Sequence, residues 1–379
     1  MAERVAAEVF PPGEFIKEEL DARGWSQADL AEILDVTDSV VSALINGKKA
    51  ITPELAKGLG AAFGTSAQLW MNLESSYRLF TAGGNDNLVG RKARLYDVAP
   101  VKELVKRGWI ERSDNINVLE KRVVDFLEVP SLEEAPRILH AARKSTSYGA
   151  DNAAQVAWFC RARKLGRTVS AARFSEKAFR EALVEIRAIL PTAEEIRKVP
   201  KILSDAGIRF VVLEHLPQTR IDGACIWLDE HSPIVAVSLR YDRLDWFWHT
   251  VLHELAHVQN QDGLDDKGSL DSDLVGDKAQ PTDEKPEPEK LADNFAAEFS
   301  IKKEDLDHFI ARVRPFFSKA KILGYAARVG VHPAIVVGQL QHRGLLPYSH
   351  SREMLVRVRD IVTEAALTDG WGHTITTKL

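Results

Sequence analysis

"FWHTVLHELAHVQNQ", residues 247–261, carries two histidines four positions apart, with Glu254 directly after the first: His253, Glu254 and His257. On an α-helix, residues four apart lie about 40° apart around the axis, so both imidazoles project from one face and can offer nitrogens to a single ion. Glu254 stands beside them, where a carboxylate can take a proton from water at a metal without being a ligand itself. In a chain with 11 histidines a chance H-E-x-x-H has a probability of about 0.02, so a third ligand is the test. Downstream, "EPEKLADNFAAEF", residues 287–299, holds Glu289 and Asp293 four apart beside the apolar run Leu291, Ala292, Phe295 and Ala296. Glu289 completes a two-His, one-Glu set that leaves a fourth position for water, as a catalytic Zn2+ requires. Asp293, one turn on, is placed to accept the second ring N–H of a ligand histidine and fix its tautomer. His249, one turn before His253, leaves a competing His249/His253 pair open.

On either side of these helices the pattern changes. "IRFVVLEHL", residues 208–216, is a short β-rich run, and "ACIWLDEHSPIVAVSLR", residues 224–240, predicts two strands around a turn at Asp229–Pro233. Between the two motif helices, residues 262–288 are acidic, rich in Pro and Gly and nearly empty of large apolar side chains. Such a segment is expected to be a solvated insertion that packs no core, or else a mobile lid or a mimic of an acidic partner. Residues 80–205 carry helical apolar spacing in "VAPVKELVKRGWI", "NVLEKRVVDFLEV", "LEEAPRILHAARKS" and "EKAFREALVEIRAIL", and no chemistry. The group Arg161, Arg163, Lys164 and Arg167 predicts a solvated helix end or a basic patch, and Trp158 and Phe159 are expected in a core. "TAGGNDN", residues 81–87, is the best hinge between domains.

The amino-terminal stretch from Gly13 shows repeated short helical runs. A first helix spans about Glu14 to Ala22. Ser26 caps a second, with Asp29 three residues on. A turn follows at Asp35–Asp38, and a third helix runs from near Ser39 to Asn46. Val36 and Val41 point inward, which leaves Ser39, Ser42 and Asn46 on a polar face.

Length and composition bound the rest. At 379 residues, with 45% hydrophobic and 28% charged residues and a net charge of −5, the chain predicts two or three globular domains. No apolar run approaches the roughly 18 residues that span a bilayer, and the opening residues lack an export signal, so a cytoplasmic protein without a membrane is expected. Only Cys160 and Cys225 are present. Two thiols exclude a disulfide framework and a four-thiolate zinc knuckle, so any metal rests on His and carboxylate.

Two family resemblances sharpen these readings. Residues 12–82, with "GEFIKEEL", "SQADLAEILDV", "VVSALINGKKAITPELA" and "GTSAQLWMNLESSYRL", resemble the Xre/Cro-type helix-turn-helix family and in particular HigA-like antitoxins. The resemblance implies that Gln27, Thr37, Asn46 and Lys48 face phosphates and that Asp38, Ser39 and Ala43 sit where base edges are read. Asp35 replaces the glycine usual in the turn, and Asp38 puts a carboxylate among phosphates. Acidic residues also outnumber basic ones over residues 1–80, so DNA binding is expected to need a homodimer. Residues 170–348, with "DWFWHTVLHELAHV", "EKLADNFAAEFSI" and "VHPAIVVGQLQHRGLLPYS", resemble the ImmA/IrrE family of intracellular metallopeptidases. That resemblance implies a zinc endopeptidase that cleaves a protein partner such as a repressor or antitoxin.

The expected architecture is multidomain and mainly α. It comprises a five-helix Xre/Cro-type helix-turn-helix bundle over residues 1–82, a helical connecting region over 83–170, and an α+β zincin-like metallopeptidase domain over 171–348. A tail follows over 349–379. The expected metal ligands are His253, His257 and Glu289, the general base Glu254 and the supporting carboxylate Asp293. DNA-facing candidates are Gln27, Thr37, Asp38, Ser39, Ser42, Asn46 and Lys48. His332 and Tyr348 are candidates for the oxyanion-stabilising group. The alternative function is a HigA-like antitoxin or repressor whose peptidase-like domain is a sensor or binding module.

Overall fold

The structure is a computed structural model that describes residues 9–82, 86–134, 153–264, 268–272, 274, 285–373 and 375. It divides into two compact units, Met1–Gly90 and Arg91–Leu379. Among the described residues no helix is long and apolar enough to cross a membrane.

In the first unit, five helices are set by their own punctuation. The first, α1 (Pro12–Arg23), has proline in its first turn and ends at Gly24 in the left-handed region, φ 66°, the backbone state that glycine adopts without strain. Next, α2 (Gln27–Ile33) opens on a capping box in which Ser26 and Asp29 satisfy each other's backbone N–H. Asp35 then takes φ 53°, so the turn lacks glycine but keeps glycine's conformation, which a short polar side chain tolerates. Starting at Asp38, one residue earlier than expected, α3 (Asp38–Ile45) precedes α4 (Pro53–Phe63) and α5 (Ala67–Thr81), which are capped by the hydroxyls of Thr52 and Ser66. Ile16, Leu20, Leu30, Val41, Leu44, Leu59, Phe63 and Trp70 form the core. Gly13 makes the α1–α3 crossing possible, because a Cβ there would lie 2.0 Å from the Ile45 carbonyl oxygen.

The second unit is built on a five-stranded sheet in the order β4-β2-β3-β1-β5. Its strands are β1 (Arg209–Leu213), β2 (Ile221–Trp227), β3 (Pro233–Val237), β4 (Gly268–Ser272) and β5 (Leu367–Asp369). β1 runs parallel to β3 and β5, whereas β2 is antiparallel to β3 and β4. Side chains alternate across the sheet, as the two-residue period demands. Val211, Leu213, Ile234 and Ala236 join one apolar cluster, and Phe210, Val212, Val235 and Val237 join the other. The first cluster is closed by helices between Leu95 and Leu165. The second is closed by helices from Phe179 to Val362, among them Leu244–Asn260 and Glu287–Ser300.

Several expectations are corrected by this arrangement. Residues 91–170 do not merely connect, since helix Ala153–Thr168 covers the sheet and Trp158 donates from Nε1 to the Leu213 carbonyl at 3.1 Å. Within the expected tail, 349–379, Leu367–Asp369 form β5, which pairs with β1. The boundary falls at residue 90 rather than 82. The acidic insertion does pack in part: β4 adds to the edge of β2, and Leu274 is buried, its N–H donating to Asp222 Oδ2 at 2.8 Å. The basic group near 161–167 is only in part the solvated helix end expected: Arg167 is exposed and Arg163 and Lys164 are half-buried. Arg163 and Arg167 pair with Glu128, Lys164 donates to the Asp125 carbonyl, and Arg161 is buried. The helix expected over 132–145 lies outside the described residues from position 135 onward, as do the glycines of the expected hinge.

Arg161 and Asp369 are each 1% exposed and meet at 2.5 Å, and Trp109 Nε1 donates to the same carboxylate at 3.1 Å. The guanidinium also donates to the Ile375 carbonyl, so one buried ion pair ties the last strand and its following residues to the first layer of helices. Removing one member of such a pair strands a charge in the interior. Arg161→Ala is expected to cost about 3–5 kcal/mol, read as a lowered midpoint in urea unfolding, whereas Arg112→Ala at an exposed pair is expected to change it by less than about 1 kcal/mol.

Candidate metal centre

Helix Leu244–Asn260 is enclosed nearly all round, leaving only Trp246, His249, Gln259 and Asn260 short of full burial. Its polar side chains therefore have to find partners inside the protein. His253 and His257 find partners on helix Glu287–Ser300, which opens on Pro286 and Pro288 and buries Glu289, Ala292, Asp293 and Ala296. The four-residue spacing of each motif becomes one facing row of polar groups.

His253, His257 and Glu289 come together as the sequence predicts, with one donor atom of each within 4.8 Å of the others. The two Nε2 atoms lie 3.1 Å apart, His253 Nε2 is 3.1 Å from Glu289 Oε2, and His257 Nε2 is 3.6 Å from Glu289 Oε1. Each ring's other nitrogen meets a carboxylate: His253 Nδ1 lies 3.0 Å from Asp293 Oδ1, and His257 Nδ1 is 2.9 Å from Asp262 Oδ2. Two imidazole nitrogens and a carboxylate that converge in a buried spot, each ring backed by a carboxylate, fit a divalent ion of the zinc class. Sequence reasoning anticipated Asp293 and missed Asp262. The signal lies just past the helix, where Gln261 turns left-handed at φ 58° and folds the chain back. The Asp262 carbonyl also accepts from Trp227 Nε1 at 3.0 Å.

Glu254 is fully buried and faces β2. At Gly223 an added Cβ would stand 2.1 Å from Glu254 Oε1, so only glycine leaves room for the carboxylate there. Lys285, also missed in the sequence, is buried and sets its ammonium 2.8 Å from Asp293 Oδ2. Burial opposes protonation of His253, but the hydrogen bonds to Asp293 and Glu289 and the charge of Glu254 outweigh it and push the ring up to about 9. Burial likewise opposes ionisation of Asp293, yet the imidazoles of His249 and His253 hold its carboxyl far below the usual range.

His249 Nε2 is 3.7 Å from Asp293 Oδ1, so it belongs to a second group, His249/His253/Asp293, that shares His253 with the first. A cavity of about 330 Å³ is lined by His249, Lys285, Asp293, His342 and Tyr348. Of the two oxyanion candidates, Tyr348 thus borders this cavity. His332 instead caps helix Pro333–His342, its Nδ1 accepting from Ala334 N–H at 3.1 Å.

In the first unit, Gln27, Thr37, Asp38, Ser39, Asn46 and Lys48 are all exposed and Ser42 is partly so, gathered at the start of α2 and along α3. Some are already engaged locally: the hydroxyls of Thr37 and Ser39 meet at 2.8 Å, and Asn46 Nδ2 donates to the Ser42 carbonyl at 2.7 Å.

A helix-turn-helix family model matches residues 16–70. The HTH-type transcriptional regulator YddM of Escherichia coli K12 is 38% identical over 71 residues, which are 19% of this chain and 76% of that protein. Virulence-associated protein A' of Dichelobacter nodosus is 38% identical over 73 residues, 19% of this chain and 64% of the relative. A solved structure of Pseudomonas aeruginosa antitoxin HigA with the higBA promoter is 37% identical, covering 21% of this chain and 88% of that one, with a TM-score of 0.20. The capping box of α2, the turn at Asp35 and the exposed face of α3 all fall inside the matched residues. Through this first unit, the chain belongs to the helix-turn-helix family of transcriptional regulators.

Proposed function

We propose that the chain is a DNA-binding transcriptional regulator whose second unit holds one Zn2+ through His253, His257 and Glu289 and uses it to cleave a protein partner. The regulatory half of this reading is supported by the matching family and by relatives named as regulators. The hydrolytic half rests on a single juxtaposition: a buried glutamate, next in sequence to a histidine of the ligand group, fitted over a glycine of the sheet.

Bound zinc supplies Lewis acidity toward a carbonyl and lowers the pKa of water. The chain's own residues do the rest. Asp293 and Asp262 stand 3.0 and 2.9 Å from Nδ1 of His253 and His257, where each can take an Nδ1 hydrogen and so leave both Nε2 lone pairs for the space beside Glu289. Glu254 accepts a proton from the attacking water and can return it to the leaving amine. The resemblance of residues 170–348 to the ImmA/IrrE peptidases supports this division of labour, with a repressor or antitoxin as the expected substrate. The relatives named as regulators lend more support to a second reading: a HigA-like antitoxin or repressor whose peptidase-like domain is a sensor or binding module.

In metal analysis of the dialysed full chain, about one zinc per chain is expected, and His257→Ala or Glu289→Ala should release it. Full zinc occupancy in both variants would exclude this ligand set. Glu254→Gln, near in size but unable to accept the proton, is expected to keep zinc and fold while cleavage of the partner falls by at least about 100-fold. If this variant still regulates its promoter normally, the sensing reading replaces the hydrolytic one.

The DNA prediction comes from charge. In a salt titration on its own promoter DNA, binding should weaken steeply with salt, Lys48→Ala should weaken it more than Ser39→Ala, and Asp38→Asn should strengthen it by relieving carboxylate–phosphate repulsion. Equal, negligible binding to promoter and unrelated duplex, unchanged in Asp38→Asn, would mean that this unit docks protein instead.

A further inference from the structure

The two groups of metal-binding side chains share one ring. His253 turns Nε2 toward His257 and Glu289, and Nδ1 toward Asp293, whose Oδ1 lies 3.7 Å from His249 Nε2. The second group borders open space, since both His249 and Asp293 line the 330 Å³ cavity. We propose that His249, Nδ1 of His253 and Asp293 form a second cation site, alternative to the first and never filled together with it, and that Lys285 holds this second site closed. The proposal rests on the zinc reading of the first group.

Exclusivity follows from the imidazole itself. A neutral ring has one lone pair and one N–H. When Nε2 serves an ion beside Glu289, Nδ1 must carry the hydrogen and donate it to Asp293. For Nδ1 to serve an ion, the hydrogen has to move to Nε2, where Glu289 Oε2 at 3.1 Å is ready to accept it. Both tautomers therefore have a partner for their N–H, and each opens one side of the ring while closing the other. Donors of two imidazoles and one carboxylate suit zinc on either side.

What selects the side is charge. Lys285 Nζ lies 2.8 Å from Asp293 Oδ2 and is buried, so an ion arriving at Oδ1 of the same carboxylate would meet a second positive charge at short range where water screens it poorly. Lys285 thus assigns the ion to the His257 side. It also stands two residues before helix Glu287–Ser300, at the end of the acidic insertion. A displacement of that end would remove the charge and open the alternative site.

The test measures zinc per chain and zinc affinity in the full-length protein. His257→Ala alone should lose the ion. Adding Lys285→Met should restore binding to about one zinc per chain, with affinity at least ten-fold tighter than in His257→Ala, and adding His249→Ala should abolish it again. Cobalt substitution gives a second readout, a visible d–d spectrum that returns with Lys285→Met and disappears with His249→Ala. Lys285→Gln in the same background, which leaves Asp293 a neutral donor, gives the answer if the methionine variant does not fold. A folded Lys285 variant that binds zinc no more tightly than His257→Ala overturns the second site while leaving the first intact. Recovery that survives His249→Ala overturns it as well. A wild-type chain that binds no zinc overturns the first site instead, so the two claims fail separately.

Discussion

Two imidazoles and three carboxylates are buried between helix Leu244–Asn260, helix Glu287–Ser300 and strand β2. Leaving such groups unpaired would cost several kcal/mol each, and the contacts that His253 and His257 make with Glu289, Asp293 and Asp262 fix the geometry nearby. The helix register follows, because only the four-residue spacing of His253/His257 and of Glu289/Asp293 brings the rows into contact. The glycine at 223 follows too, since any larger residue would strike Glu254. So does the backward turn at Gln261, which brings Asp262 under His257. A core assembled from charges is a poor source of stability relative to an apolar one of the same shape. Its retention in a helix otherwise lined by Leu, Val, Phe and Trp is the mark of a site built for chemistry or binding.

Much of this was legible in the sequence because its physics is local. Periodicity gave the two motif helices and the strands before them, and Ser26 with Asp29 announced the capping box that starts α2. Asp35, which stands where the helix-turn-helix resemblance places a glycine, takes that glycine's left-handed backbone. What escaped was long-range. Nothing in "GSLDS" distinguishes an edge strand from a solvated linker until β2 is there to pair with it. Arg161 and Asp369 are 208 residues apart, so composition suggested a basic helix end where the fold buries an ion pair. Lys285 sat in an acidic, proline-rich run whose bulk character masked one buried ammonium.

The sheet explains why residues outside the expected peptidase boundaries belong to the second unit. Strands buried on both faces need a layer on each side, and helix Ala153–Thr168 with the helices before it supplies the second one. β5 then protects the edge of β1, which would otherwise present unpaired backbone groups. The metal-binding groups lie against the opposite layer. Both faces of the sheet carry an apolar core, and they meet in β2, whose Ile226 packs in one cluster while its Gly223 makes room for Glu254 on the other side.

Regulation by such a molecule needs no wire between its units, only linkage. The insertion contributes Asp262 at its start, Leu274 in its middle and Lys285 at its end, and all three bind groups in or beside the site: His257, Asp222 and Asp293. Asp222 is itself buried and clasped by Arg240 at 2.9 and 3.1 Å, which makes it a rigid anchor for the segment. An ion bound as proposed would depend on the tautomers of His253 and His257 and would thereby be coupled to the positions of Asp262 and Lys285. Thermodynamic reciprocity would then require that anything which displaces these residues changes the ion's affinity, and that the ion in turn favours their observed positions. A partner protein engaging this acidic segment would be coupled to the metal centre without touching a ligand.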